Sequence, residues 1–223
     1  MSDAENSLLN WQPVPAPAAV TLRGRTVTVE PLNAARHAAD LWLALAGHDA
    51  VWTWMFDGPY GSEEALRRAV EEKQAAPAAV FFALLPDASG RAEGWASLMR
   101  PDPANGVVEV GNIVLAPRLQ RTTAATEAMY LLARHVFEEL GNRRYEWKCN
   151  ALNLPSRRAA ERLGFRYEGT FRQHMVVKDR SRDTAWFAML DGEWPERKRA
   201  FEAWLAEGNF DGEGRQRKRL GEI

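Results

Sequence analysis

The sequence predicts a mixed α/β (α+β) fold, a largely antiparallel and twisted sheet built around a β-α-β-α core. Three observations predict it. Residues 108–115, 123–140 and 145–149 read as strand, helix and strand, and a short helix ending at Leu163-Gly164 follows. The turn that feeds the first helix, residues 116–122, is rich in small and hydroxyl side chains. Around this unit lie short apolar runs broken by turn residues, the pattern of a meander and a hairpin with a single crossover.

Each element follows in order. Residues 1–19 are polar and then Pro/Ala-rich (Gln12-Pro13-Val14-Pro15-Ala16-Pro17), an extended N-terminal arm. A single domain is expected over residues 20–208. Residues 21–29 alternate about Gly24 and read as a first strand or hairpin. Asn33 caps a helix running to Ala46, with Gly47 past its end. Ser62, with Glu63 and Glu64 behind it, starts a second helix through Gln74. Residues 79–85 and 92–100 are strands joined by Pro86-Asp87-Ala88-Ser89-Gly90, and residues 101–106 turn into the strand 107–115. In the helix 123–140, Ala125, Met129, Leu132, Val136 and Leu140 share one face, and Gly141 ends it. Residues 165–177 and 184–190 form a long antiparallel pair joined by the charged turn 178–182. Pro195 opens an amphipathic helix carrying Phe201, Trp204 and Leu205. Residues 209–223, Gly-rich and charged, read as a loose tail with a basic run of Arg215, Arg217, Lys218 and Arg219.

Composition narrows the function classes. The chain has 223 residues, 46% of them hydrophobic, enough for one sizeable core. Its 29 Lys and Arg against 30 Asp and Glu leave a formal net charge of -1, which argues against nucleic-acid binding as the main task. One cysteine, Cys149, excludes an intramolecular disulfide and fits a reducing compartment. Asp3 and Glu5 stand where a signal peptide would be basic, and no apolar run approaches a membrane span. A cytoplasmic protein with no membrane contact is expected.

The chemistry begins at the turn before the long helix. Backbone N–H groups at a helix N-terminus point outward, and the helix dipole adds positive charge, so such a turn holds a pyrophosphate. The donors are the amides of Gln120, Arg121, Thr122, Thr123, Ala124, Ala125 and Thr126, which makes this a cofactor-binding core. The same residues also read as an ordinary capped helix start, with Thr122 or Thr123 as N-cap, and the two readings are compatible. Asn153 and Ser156 read as cap and first-turn hydroxyl of the short helix. Between the first two helices, Val51–Tyr60 is dense in aromatics; with Asp57, these rings wall a pocket or pack the helices on the sheet. No metal-ligand spacing appears among His37, His48, His135 and His174, no serine-histidine-acid arrangement is evident, and Cys149 sits in an apolar strand as a core residue.

Leu119-Gln120-Arg121-Thr122-Thr123-Ala124-Ala125 after the strand ending at Leu115, and Asn153-Leu154-Pro155-Ser156 opening the helix that ends Glu161-Arg162-Leu163-Gly164-Phe165, resemble the GNAT superfamily of N-acetyltransferases, within it the RimJ/RimL-like ribosomal-protein acetyltransferase branch. The likeness covers about residues 20–194. Gln120 and Ala125 fit the phosphate motif, while Thr123 stands where the family usually has Gly. The resemblance implies acetyl-CoA as co-substrate, its diphosphate on residues 120–126 and its pantetheine arm between two splayed strands. It implies that the backbone of Ile113, Val114 and Leu115 pairs with that arm, the Leu115 N–H polarising the thioester carbonyl. Asn153 would bond the pantetheine, Ser156 would act as general acid toward the departing thiolate, and Arg158 or Arg157 would reach the 3′-phosphate. Glu109 is the expected general base, placed by alternation on the side of Gly111 and Ile113, with Asp57, His174 and Asp183 as rivals. Trp54, Asp57, Tyr60 and His174 are the expected acceptor pocket. The acceptor is a primary amine, either a protein N-terminus or a small molecule, and the chain acts as monomer or homodimer. The alternative is a non-catalytic acyl-CoA-binding module whose basic tail contacts RNA or a ribosome.

Overall fold

Turns set the outer strands. The Gly24 turn joins β1 (Leu22–Arg23) to β2 (Val27–Pro31), and β3 (Ala79–Pro86), β4 (Gly94–Asp102) and β5 (Val107–Leu115) follow as a meander. With β6 (Arg144–Asn150), β7 (Arg166–Val177) and β8 (Arg180–Leu190) they form one sheet ordered β1-β2-β3-β4-β5-β6-β8-β7 in the computed structural model, which describes residues 8–223. Only β5 and β6 are parallel; the other neighbours are antiparallel.

Helices cover both faces. α1 (Ala34–Leu45) and α2 (Glu63–Gln74) start at Asn33 and Ser62, whose side chains accept from Arg36 N and Ala65 N. Leu41, Leu66 and Val70 pack with Phe81, Trp95 and Val114 on that face. α3 (Thr123–Arg134) and α5 (Trp194–Leu205) cover the other face through Leu132, Phe201 and Trp204. α3 continues through a π-turn, His135–Glu139, so the expected helix 123–140 has its length but a widened last turn. α4 (Leu154–Arg162) lies between β6 and β7.

The central irregularity sits on β5. Trp95 pairs with Val114 and Ser97 with Gly111, so Asn112 and Ile113 together oppose one residue of β4. Asn112 takes the left-handed backbone this bulge needs (φ 47), and its Oδ1 accepts from Trp95 Nε1 at 3.2 Å. A bulge reverses the side-chain phase. Val108 and Val110 pack in the α3 core, yet beyond the bulge Ile113 and Leu115 pack against that core while Val114 joins the other. The expected alternation holds for Glu109 and Gly111 and fails for Ile113, because a β-bulge has no strong sequence signature here.

Gly94 permits the close approach of β4 at this point. A Cβ there would stand 2.3 Å from the Val114 carbonyl oxygen, a backbone atom that cannot rotate away. Gly94→Ala is expected to cost about 1–3 kcal/mol, read from the midpoint of urea unfolding.

Two expectations in the C-terminal part of the chain are corrected. The turn 178–182 is tighter than expected: Lys178 and Asp179 both take positive φ (49 and 59) as a two-residue hairpin, so Arg182 lies inside β8. Residues 209–223 are not loose. Asn209 is buried and holds Lys218, Gln216 accepts from Trp204 Nε1 at 2.8 Å, and Leu220 is buried against α5. Composition hid these anchors because charged and glycine residues outnumber them. In the arm, residues 1–7 lie outside the described residues; Trp11 stacks on Arg143 and donates to the Ala104 carbonyl.

Candidate active site

The parallel pairing of β5 and β6 runs from Val107↔Arg144 to Val110↔Trp147 and stops. Beyond it, Gly111–Leu115 and Lys148–Asn150 have no partner across the gap, although both strands continue. The bulge directs β5 toward β4, while β6 stays paired along its length with β8. The two strands therefore splay, and a cavity of about 300 Å³ opens there. The Ala116 N–H donates to Glu93 O at 2.8 Å, on the β4 side. Successive strand amides face opposite edges, so the Leu115 and Ile113 amides face the gap. The Leu115 carbonyl accepts from Gln120 Nε2 at 2.9 Å, which folds the glutamine side chain back over the strand end.

The helix start beside the gap is half satisfied. Thr122 is the N-cap, accepting from Ala125 N at 3.1 Å and donating to the Leu119 carbonyl at 2.7 Å. Among the described residues no group accepts from the amides of Arg121, Thr123 or Ala124. Arg121 takes positive φ (63), which turns successive amides toward a common point. Buried Leu119 anchors the loop beneath. Thr126 is buried, and its hydroxyl receives Arg162 at 3.2 Å. Arg158 is exposed on α4, whereas Arg157 donates to the Ala151 carbonyl and lies over Tyr167. The unpartnered amides at a helix N-terminus next to a strand gap fit a diphosphate with an extended arm.

Ser156 lines the cavity, where its Oγ accepts from Trp147 Nε1 at 3.0 Å. The indole only donates, so the serine's own proton remains available. Asn153 caps α4 by accepting from Ser156 N at 3.1 Å, and it also lines the cavity. Burial pushes the Cys149 thiol up, against smaller pulls from Ser156, Arg182 and Arg157, so it stays a thiol.

Glu109 lies in the cavity wall, buried, with Arg100 at 2.7 Å and Lys148 at 3.0 Å. Lys148 also meets Glu146 at 2.8 Å and stands 3.9 Å from the centre of the Trp186 ring. His174 lines the same cavity, its Nδ1 3.0 Å from Thr184 Oγ1. Of the other expected pocket residues, Trp54 lines the cavity; Asp57 and Tyr60 do not. Tyr60 donates to Asp57 at 2.7 Å, and Lys73 pairs with the same carboxylate. Burial pushes the Asp57 carboxyl up, but Lys73 and Tyr60 outweigh it and hold it below its ordinary value. Asp183 lies outside the cavity wall and accepts from Gln173 N at 2.7 Å. Lys178 fastens the β7–β8 hairpin over the aromatic segment by donating to the carbonyls of Trp52, Asp57 and Gly58.

Sequence reasoning missed Arg100, Lys148, Arg182 and Trp186. The alternation Arg182-x-Thr184-x-Trp186 was the available signal for β8, and it was hidden by assigning Arg182 to a turn.

A strand gap beside a helix start with free amides is an arrangement suited to an extended, phosphate-bearing ligand. The model of the acetyltransferase (GNAT) domain matches residues 26–166, and the chain belongs to that family. It is similar to a crystal structure of a GCN5-related N-acetyltransferase from Brucella melitensis, 49% identical over 96% of this chain and 98% of that one, with a TM-score of 0.95. A GNAT-family structure from Chromobacterium violaceum is 39% identical over 85% and 95%, with a TM-score of 0.80. An uncharacterized N-acetyltransferase from Bacillus subtilis is 30% identical over 36% of this chain, which spans about half (48%) of that relative's length. Two structures described as ribosomal-protein acetyltransferases, at 16% and 19% identity, share the fold alone.

Proposed function

We propose that this chain moves an acetyl group from acetyl-CoA to a primary amine within one ternary complex. The gap between β5 and β6, with the Leu115 amide facing it, carries the reading. Acetyl-CoA supplies the activated acyl carbon. The amides of Arg121, Thr123 and Ala124 receive its diphosphate, the edge of Ile113–Leu115 orients its arm together with Asn153, and Arg158 is within the same helix for the 3′-phosphate. The Leu115 N–H steadies negative charge on the reacting carbonyl oxygen, an effect worth about 3 kcal/mol in a dry site. Ser156 delivers its proton to the leaving sulfur and takes back the proton that the attacking nitrogen loses as the amide forms.

For the base, Glu109 and His174 both line the cavity. A proton taken by Glu109 would break ion pairs with two cations. His174 keeps Nε2 free of any described partner and takes the proton without that cost, so we assign it the transfer and give Glu109 the balance of charge. Trp54 then walls the acceptor side, while Asp57 and Tyr60 brace that wall through Lys73. The buried Cys149 thiol fits a cytoplasmic setting. The alternative of a non-catalytic module with an RNA-contacting tail is not favoured. Its basic run belongs to a folded segment in which Arg215 meets Asp211 and Glu213 and Arg219 meets Glu222.

Isothermal titration with acetyl-CoA tests the reading. Micromolar affinity is expected, and Thr123→Glu, which sets a carboxylate beside the free amides at a half-buried position, should weaken it at least 100-fold. No heat at millimolar acetyl-CoA would remove the reading's foundation.

A further inference from the structure

The cavity holds one cation too many. Glu109 is shared by Arg100 and Lys148, and Lys148 also has Glu146. Arg182, on β8 in the same wall, is only 7% exposed, and its side chain has no ion pair or hydrogen bond among the described residues. Its Nε is buried without a partner, and its guanidinium lies 4.9 Å from the centre of the Phe56 ring. Four residues along the same strand face, Trp186 Nε1 is likewise buried without an acceptor. Both groups only donate, so the missing partners are acceptors. A buried guanidinium without an anion is costly, and a ligand that brings the anion removes the cost. Burial also lowers the Arg182 pKa, against weaker pulls from Cys149 and Glu109.

We propose that the amine acceptor is a small molecule carrying a carboxylate, an amino acid or a simple conjugate of one, and that Arg182 receives that carboxylate. This rests on the acetyl-transfer reading above. A planar fork facing a carboxylate fixes the acceptor's orientation as well as its charge, placing its amine toward the β5–β6 gap. Phe56 stacks the guanidinium from one side and holds the fork in place.

The test measures initial rates of CoA release with the twenty amino acids and their amides as matched pairs, beside calorimetry with acetyl-CoA. At least one acid should exceed its amide 10-fold or more in kcat/KM. Arg182→Gln should bring that pair within about 2-fold while leaving acetyl-CoA affinity unchanged, and Arg182→Lys should restore part of the preference. Arg182→Gln should also raise the melting temperature by about 2–4 °C, because it removes an unpartnered buried charge. A fall in melting temperature would mean that Arg182 already has an internal partner, and the proposal would fail. Equal rates for acids and amides, or no turnover of any acid by protein that binds acetyl-CoA, also overturn it. Succinyl-CoA outpacing butyryl-CoA with the amides, without an acid preference, would assign the carboxylate to the acyl chain and overturn the acceptor claim. Absence of acetyl-CoA binding would instead remove the acetyl-transfer reading on which the proposal stands.

Discussion

Ser156→Ala is expected to lower kcat about 100-fold and to change acetyl-CoA affinity less than twofold. The hydroxyl lines the cavity beside the strand gap, with Trp147 Nε1 fixing its lone pair at 3.0 Å and leaving its proton to donate. A departing thiolate needs a proton, and general acids of this kind contribute on the order of 10²–10⁴-fold. The backbone amide of Ser156, not the hydroxyl, holds the Asn153 cap, so alanine keeps the helix start. The variant does leave a buried indole donor without an acceptor, at a cost of about 1–3 kcal/mol. Stability and turnover must therefore be measured separately, and Ser156→Thr should regain part of both. Full turnover by the alanine variant would take Ser156 out of the chemistry.

The second large effect separates two residues that share the cavity. His174→Gln should lower kcat about 100-fold, and added imidazole should restore part of it. Glu109→Gln should keep kcat within about tenfold but cost about 2 kcal/mol, a fall of roughly 4–8 °C in melting temperature. That cost is smaller than for a sealed pair, because the Arg100 side chain is 49% exposed and Lys148 retains Glu146. The opposite pattern, with turnover lost in Glu109→Gln and kept in His174→Gln, would return the proton transfer to Glu109.

Local chemistry was legible wherever it acts through neighbours in sequence. Asn33, Ser62, Thr122 and Asn153 each cap the helix that follows, since a side chain three residues from a free amide needs no tertiary partner. The meander and the crossover followed from turn residues and helical spacing. Tail anchors such as Leu220 were not legible, because a single apolar residue in a charged segment has no periodicity to reveal it. The candidate site was legible on the cofactor side, where main-chain amides and two helix starts build it. On the acceptor side it was not: Glu109, Arg100 and Lys148 come from three strands, and Arg182 from a fourth.

By itself the sequence determined the elements, their order and the two helix starts that face the strand gap, because hydrophobic period and capping act over a few residues. Only the tertiary structure decided where β5 and β6 part, which carboxylate meets which cation, and that Arg182 is left without one. Those outcomes depend on a bulge at Asn112 and on charges brought together from distant strands. Burial then fixes their energy, and burial belongs to the folded chain.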